Sequence, residues 1–226
     1  MRIASGDWAL EPGFLTVNHG SFGATPRPVL AAQADWRGRM EAQPSRFMAQ
    51  ELPGALRAAA AELARFLNAD PEGLAFVANA TEGCNAVLRS LDLRPGEEVL
   101  LLGHAYGAVR KTAAWVAGRA GARVAEAPVP FPRPTEAEVL DSLAAAITPR
   151  TRIAVLDHVT SASALVLPAA AMVALCHARG VPVLVDGAHA RGQVPLDLAA
   201  ISADWTTGNG NRGRFPGGAV ALGAAA

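Results

Sequence analysis

Val181-Pro182-Val183-Leu184-Val185-Asp186-Gly187-Ala188-His189 is the most apolar strand candidate in the chain, and it ends on a carboxylate. An uninterrupted apolar run of this kind suits a strand covered on both faces, as in a parallel sheet. A carboxylate at its end is costly unless a cation or strong donors face it, so Asp186 is the most informative single residue. Working outward, β-branched or leucine-rich runs at residues 74–78, 98–102, 123–127 and 153–156 alternate with alanine-rich amphipathic stretches at 54–67, 107–118, 135–147 and 168–179. That alternation predicts βα units around a largely parallel α/β sheet flanked by helices. Thr135 followed by Glu138 resembles a capping box, and a last strand is predicted at 219–222, after the Pro216-Gly217-Gly218 turn.

Composition narrows the function classes. With 51% hydrophobic residues and a formal net charge of zero, the chain is an ordinary globular sequence with no long-range field to attract nucleic acid or an anionic membrane. Cys84 and Cys176 stand far apart in apolar stretches, which suggests neither a disulfide framework nor a thiolate metal site. A reducing cytoplasm and a small-molecule ligand are the expectation. Lys111 is the only lysine.

In open α/β sheets ligands sit where strands hand over to helices at their C-terminal ends. After the first strand, Asn79-Ala80-Thr81-Glu82-Gly83 opens a helix, where free N–H groups and the Thr81 hydroxyl are able to hold a phosphate, or Thr81 is simply an N-cap. No dinucleotide-binding or P-loop glycine pattern is present. Tyr106, the only tyrosine, follows the second strand and is either a half-buried packing residue or a ring stacked on a flat cofactor. For Asp186, a protonated pyridine nitrogen is one suitable partner.

Several stretches in order resemble the class V aminotransferase family, which depends on pyridoxal 5'-phosphate (PLP), and most closely its isopenicillin N epimerase-like branch. They run from Leu15-Thr16-Val17-Asn18-His19-Gly20-Ser21-Phe22-Gly23 through Gln43-Pro44-Ser45-Arg46-Phe47, Asn79-Ala80-Thr81-Glu82 and His104-Ala105-Tyr106-Gly107-Ala108. They continue with Asp157-His158-Val159-Thr160-Ser161, Val185-Asp186-Gly187-Ala188-His189-Ala190 and Asp204-Trp205-Thr206-Thr207-Gly208-Asn209. The resemblance implies a fold type I PLP enzyme acting on a small-molecule amino-acid substrate as transaminase, lyase or epimerase, and a homodimer in intact relatives. It implies an N-terminal arm over residues 1–50 and an incomplete PLP-binding large domain over 51–226. By the same resemblance, Ala80, Thr81 and Glu82 sit at the cofactor phosphate with Asn209 and Asn211 as further phosphate contacts. Tyr106 stacks on the ring, Asp186 pairs with the ring nitrogen, Thr160 and His189 lie near the ring oxygen, and Asn18, His19 and Ser21 lie on the substrate side.

Two departures bear on activity. The family follows its Gly-Asn with a lysine whose amine attaches to the cofactor, whereas Gly208-Asn209-Gly210-Asn211-Arg212-Gly213 places Arg212 there. A guanidinium stays protonated and is no imine-forming nucleophile, so no catalytic residue is assigned, and Lys111 reads as a solvated helix residue rather than a substitute. The C-terminal small domain of the family is expected to be missing, with an exposed apolar face. The resulting expectation is a PLP enzyme by descent, impaired as it stands. The alternatives are a non-catalytic PLP-fold binding protein and a metal-dependent hydrolase using Asp157, His158, Asp186 and His189.

Overall fold

The computed structural model describes residues 5–15, 23–210 and 219–223. Its strands are β1 (Leu74–Val77), β2 (Glu98–Leu102), β3 (Arg123–Ala127), β4 (Thr151–Asp157), β5 (Val183–Asp186), β6 (Trp205–Asn209) and β7 (Ala219–Gly223). They form one sheet in the order β1-β7-β6-β5-β4-β2-β3. Every pairing from β6 to β3 is parallel, while β7 runs antiparallel to both β1 and β6. The helices are α1 (Arg27–Ala42), α2 (Leu52–Leu67), α3 (Ala80–Ser90), α4 (Gly107–Ala120), α5 (Glu136–Ala146), α6 (Ala169–His177) and α7 (Leu198–Ile201). A mostly parallel α/β sheet flanked by helices is therefore what the chain forms. No helix among the described residues is long and apolar enough to cross a membrane.

Local chemistry sets the element ends. Helix α2 begins two residues before the predicted 54, because it continues directly from a π-helical turn, Phe47–Glu51, with the Leu52 N–H donating to the Phe47 carbonyl. Helix α4 stops at Gly121, which adopts φ 66°, a left-handed value a Cβ would resist. The capping box at α5 is present, with the Glu138 N–H donating to Thr135 Oγ1 at 3.2 Å and the Thr135 N–H donating to Glu138 Oε2 at 2.8 Å. Three of these elements had no prediction: β6, α1 and the one-turn α7. Strand β6, Trp-Thr-Thr-Gly-Asn, lacks an apolar run, and α1 buries no residue, so its apolar positions carry no helical period to read.

Strand alternation sends side chains to two cores. Leu156, Val183 and Val185 pack with Leu143 of α5 and Met172 of α6. Val155 and Leu184 face the other way, toward Cys84 and Leu88 of α3 and Val109 of α4. Each fully buried leucine contributes about 2 kcal/mol of transfer free energy. The N-terminal end of the sheet is fastened by Glu98, which is 0% exposed and accepts from Arg123 Nη2 at 2.5 Å, Arg150 Nε at 3.0 Å and Thr148 Oγ1 at 2.7 Å. Burial alone would raise its carboxyl, but those hydrogen bonds hold it below the ordinary glutamate value. The opposite, C-terminal end is left for polar residues.

Candidate functional site

Asp186 is buried at the end of β5, directly beside Asp157 at the end of β4, with which it is paired in register. Its Oδ1 accepts from the Ala188 N–H at 3.0 Å. Gly187 follows because the chain turns against β6: a Cβ there would lie 2.7 Å from the Thr207 carbonyl oxygen. Burial first, and the Asp186 charge second, push the Asp157 carboxyl up to about 8, against the lowering effects of Arg110 and the Tyr106 backbone N–H. Asp157 therefore keeps a proton through neutral pH beside Asp186. Tyr106 follows β2 at the same end of the sheet and is 46% exposed. On the α3 side, the buried Cys84 Sγ contacts Thr207 Oγ1 at 3.4 Å, and burial pushes its thiol well up, which leaves it unreactive.

The start of α3 lies against the end of β6. Asn79 Oδ1 accepts from the Glu82 N–H at 2.8 Å, and Asn209 Oδ1 accepts from the Ala80 N–H at 3.1 Å. The Gly83 N–H donates to the Asn79 carbonyl. Among the described residues, that leaves the Thr81 N–H and hydroxyl as the donors of this first turn without a partner. Glu82 is exposed and turns its carboxylate back to the Ala78 N–H at 2.6 Å, so its side chain braces the residue before the N-cap. The N-cap is Asn79, not Thr81.

Thr160 is fully buried and its hydroxyl contacts Ser163 Oγ at 2.8 Å and accepts from the Leu165 N–H at 2.8 Å. Ser163 in turn contacts His104 Nδ1 at 2.7 Å, so a hydroxyl relay connects the β4 and β2 loops. His189 is half-buried two residues past Gly187. Lys111 is exposed on α4, in a surface hollow with Asn85, Arg89 and Trp115. Asn18, His19, Ser21, Asn211 and Arg212 lie outside the described residues. The metal-site alternative is corrected: Asp157 faces Asp186 and Cys84, whereas His158, the next residue, lines a cavity on the other face with Arg191. Successive residues of a strand diverge, so the four proposed ligands do not converge. Among the described residues no group of three potential ligands is present.

Two residues of this region were missed by the sequence reading in any cofactor-site role, Asp157 and Ser163, because their importance comes from neighbours on other strands and loops. A third, Arg191, sits 4% exposed below Gly208. An arginine between Ala190 and Gly192 gives no sign in the sequence that it is buried.

Residues 23–211 match the family model for aminotransferase class V. The chain belongs to this family. It is 39% identical to the isopenicillin N epimerase of Amycolatopsis lactamdurans, over 90% of this chain and 52% of that protein. It is 30% identical to the L-cysteine desulfhydrase of Arabidopsis thaliana, over 88% of this chain and 47% of that protein. A solved structure of the cystine C–S lyase C-DES with its reaction product cysteine persulfide superposes with a TM-score of 0.82 at 28% identity, over 92% of this chain and 56% of that one. The chain spans about half the length of the curated relatives it matches. As an aminotransferase class V protein it has a site to be tested against PLP, and the described residues fit that group. A helix N-terminus with an unpartnered N–H and hydroxyl suits a phosphate, and a buried carboxylate at the base of the cleft suits a protonated ring nitrogen.

Proposed function

We propose that the chain forms the cofactor-binding half of a PLP-dependent enzyme acting on an amino acid. The observation that carries this reading is Asp186, a buried carboxylate at the end of β5, held beside Asp157 and within the same strand-end cluster as Tyr106 and the start of α3. PLP, when bound, supplies an electron sink for reactions at the α-carbon of an amino acid. Thr81, with Ala80 and Asn209 fixing the turn, binds the phosphate; Asp186 holds the proton of the ring nitrogen; Asp157, protonated, spares Asp186 a second charge at its side. Tyr106 would cover one face of the ring and exclude water there, and His189 would orient the ring oxygen, with Thr160 bracing the loop behind it through Ser163 and Leu165. Epimerisation and C–S cleavage are the reactions named in the relatives, and both begin with charge developing at the same carbon.

Arg212 supports the companion proposal that this chain is impaired, since a guanidinium does not supply the amine that attaches the cofactor. The second reading, a non-catalytic PLP-binding protein, rests on that same residue. Titration with PLP followed by absorbance, then borohydride reduction and peptide mass mapping, tests both. The expected result is saturable binding, lost in Asp186→Ala, with no reducible adduct. An adduct on Lys111 together with turnover of an amino acid would overturn the impairment, and no binding at all would overturn the cofactor reading.

A further inference from the structure

The face of the sheet away from α3 carries a second polar feature, unrelated to the strand-end carboxylates. A small cavity lies beneath β5 and β6, walled by Leu67 of α2, by Leu196 and Leu198, and by Thr206, with His158 and Arg191 as its charged or titratable groups. Both are at least nine-tenths buried, and among the described residues Arg191 Nε and His158 Nδ1 have no hydrogen-bond partner. Among the described residues no carboxylate lines the cavity. Burial lowers Arg191 to about 10, so its guanidinium is still charged at neutral pH, and burial keeps His158 below its ordinary value, hence neutral. A buried cation without a counter-charge is costly, and that cost normally drives such a group to find one. Gly208 is shaped to this guanidinium: a Cβ there would approach Arg191 Nη2 to 3.4 Å.

We infer that this cavity is a binding site for one small monatomic anion of the chloride class, held between Arg191 and the Nδ1–H of His158. Water fills the same space but leaves the guanidinium charge uncompensated. A cation is repelled, and sulfate, phosphate or a carboxylate metabolite is several atoms across, so that of the anions a single halide comes nearest in size to a cavity this small. The site is independent of the PLP reading, because its two donors face away from Asp186 and Thr81.

The test is thermal unfolding at constant ionic strength with chloride exchanged for gluconate. Chloride at about five times its dissociation constant is expected to raise Tm by about 3 °C. Bromide should do the same, sulfate should not, and Arg191→Met should abolish the difference. Because that variant risks misfolding, crystals of the unaltered protein grown in bromide provide a second readout, with an anomalous peak expected between Arg191 and His158. Equal Tm in chloride and gluconate, an equal rise in sulfate, or a cavity without bromide would each overturn the assignment.

Discussion

Asp157 carries a consequence for pH. Its folded-state carboxyl, pushed up to about 8, holds a proton that the unfolded chain releases near the ordinary 3.8. The stability tied to this group is complete below the unfolded value and is lost as pH rises through that window to about 8. In the protein without cofactor, urea unfolding at pH 5 and pH 8 should therefore show a decline that Asp157→Asn flattens. A decline of the same size in the variant would assign the titration to another group. At Arg212 the expectation concerns chemistry rather than stability. Arg212→Lys restores an amine, and borohydride reduction with PLP is expected to leave an adduct at position 212 that the parent lacks, detected by peptide mass mapping. Failure to trap it would mean that the loop does not bring that position to the cofactor.

Among the elements, α3 and the β5–β6 junction set the site most directly. Asn79 caps α3 through the Glu82 N–H, so Asn79→Ala should cost about 1 kcal/mol in chemical denaturation and weaken PLP binding by freeing the turn that presents Thr81. Asn79→Ser should recover most of both, since a hydroxyl also caps. Gly187→Ala is the sharper probe. Its Cβ would meet the Thr207 carbonyl at 2.7 Å, a backbone atom that the sheet holds in place, and a loss of about 2 kcal/mol is expected. Unchanged stability would mean that β5 and β6 separate without cost at their C-terminal ends.

Across the whole molecule the two ends of the sheet have different duties. The N-terminal end is closed by Glu98 with Arg123, Arg150 and Thr148. Glu98→Gln keeps the shape but removes the charge from several hydrogen bonds, so stability should fall by about 2 kcal/mol while PLP affinity stays at the parent value. Because that carboxyl lies below its ordinary value of 4.5, its contribution is present above that pH and is lost on acidification through the lower folded value. Acid unfolding of the parent and the variant should therefore converge at low pH. A loss of PLP affinity in Glu98→Gln would show that the two ends are coupled.

Local pattern was enough to determine much of this. The apolar runs gave the strands that lie buried on both faces, the Thr135 and Glu138 pair gave a real cap, and Asp186 stood out because a carboxylate ending such a run needs a partner wherever it goes. The place of Tyr106, Thr81 and Asp186 at one sheet edge also followed, since the βα alternation carries each strand end to the same side. Strand β6 was decided by tertiary pairing, because a polar, glycine-broken strand is stabilised by its neighbours rather than by its own residues; β7 was predicted as a strand, and pairing decided only its antiparallel place between β1 and β6. Tertiary structure alone decided that Asp157 comes to lie beside Asp186 and that Arg191 is buried under Gly208. Each of those outcomes depends on which atoms meet across the sheet, and adjacency along the chain carries no information about that.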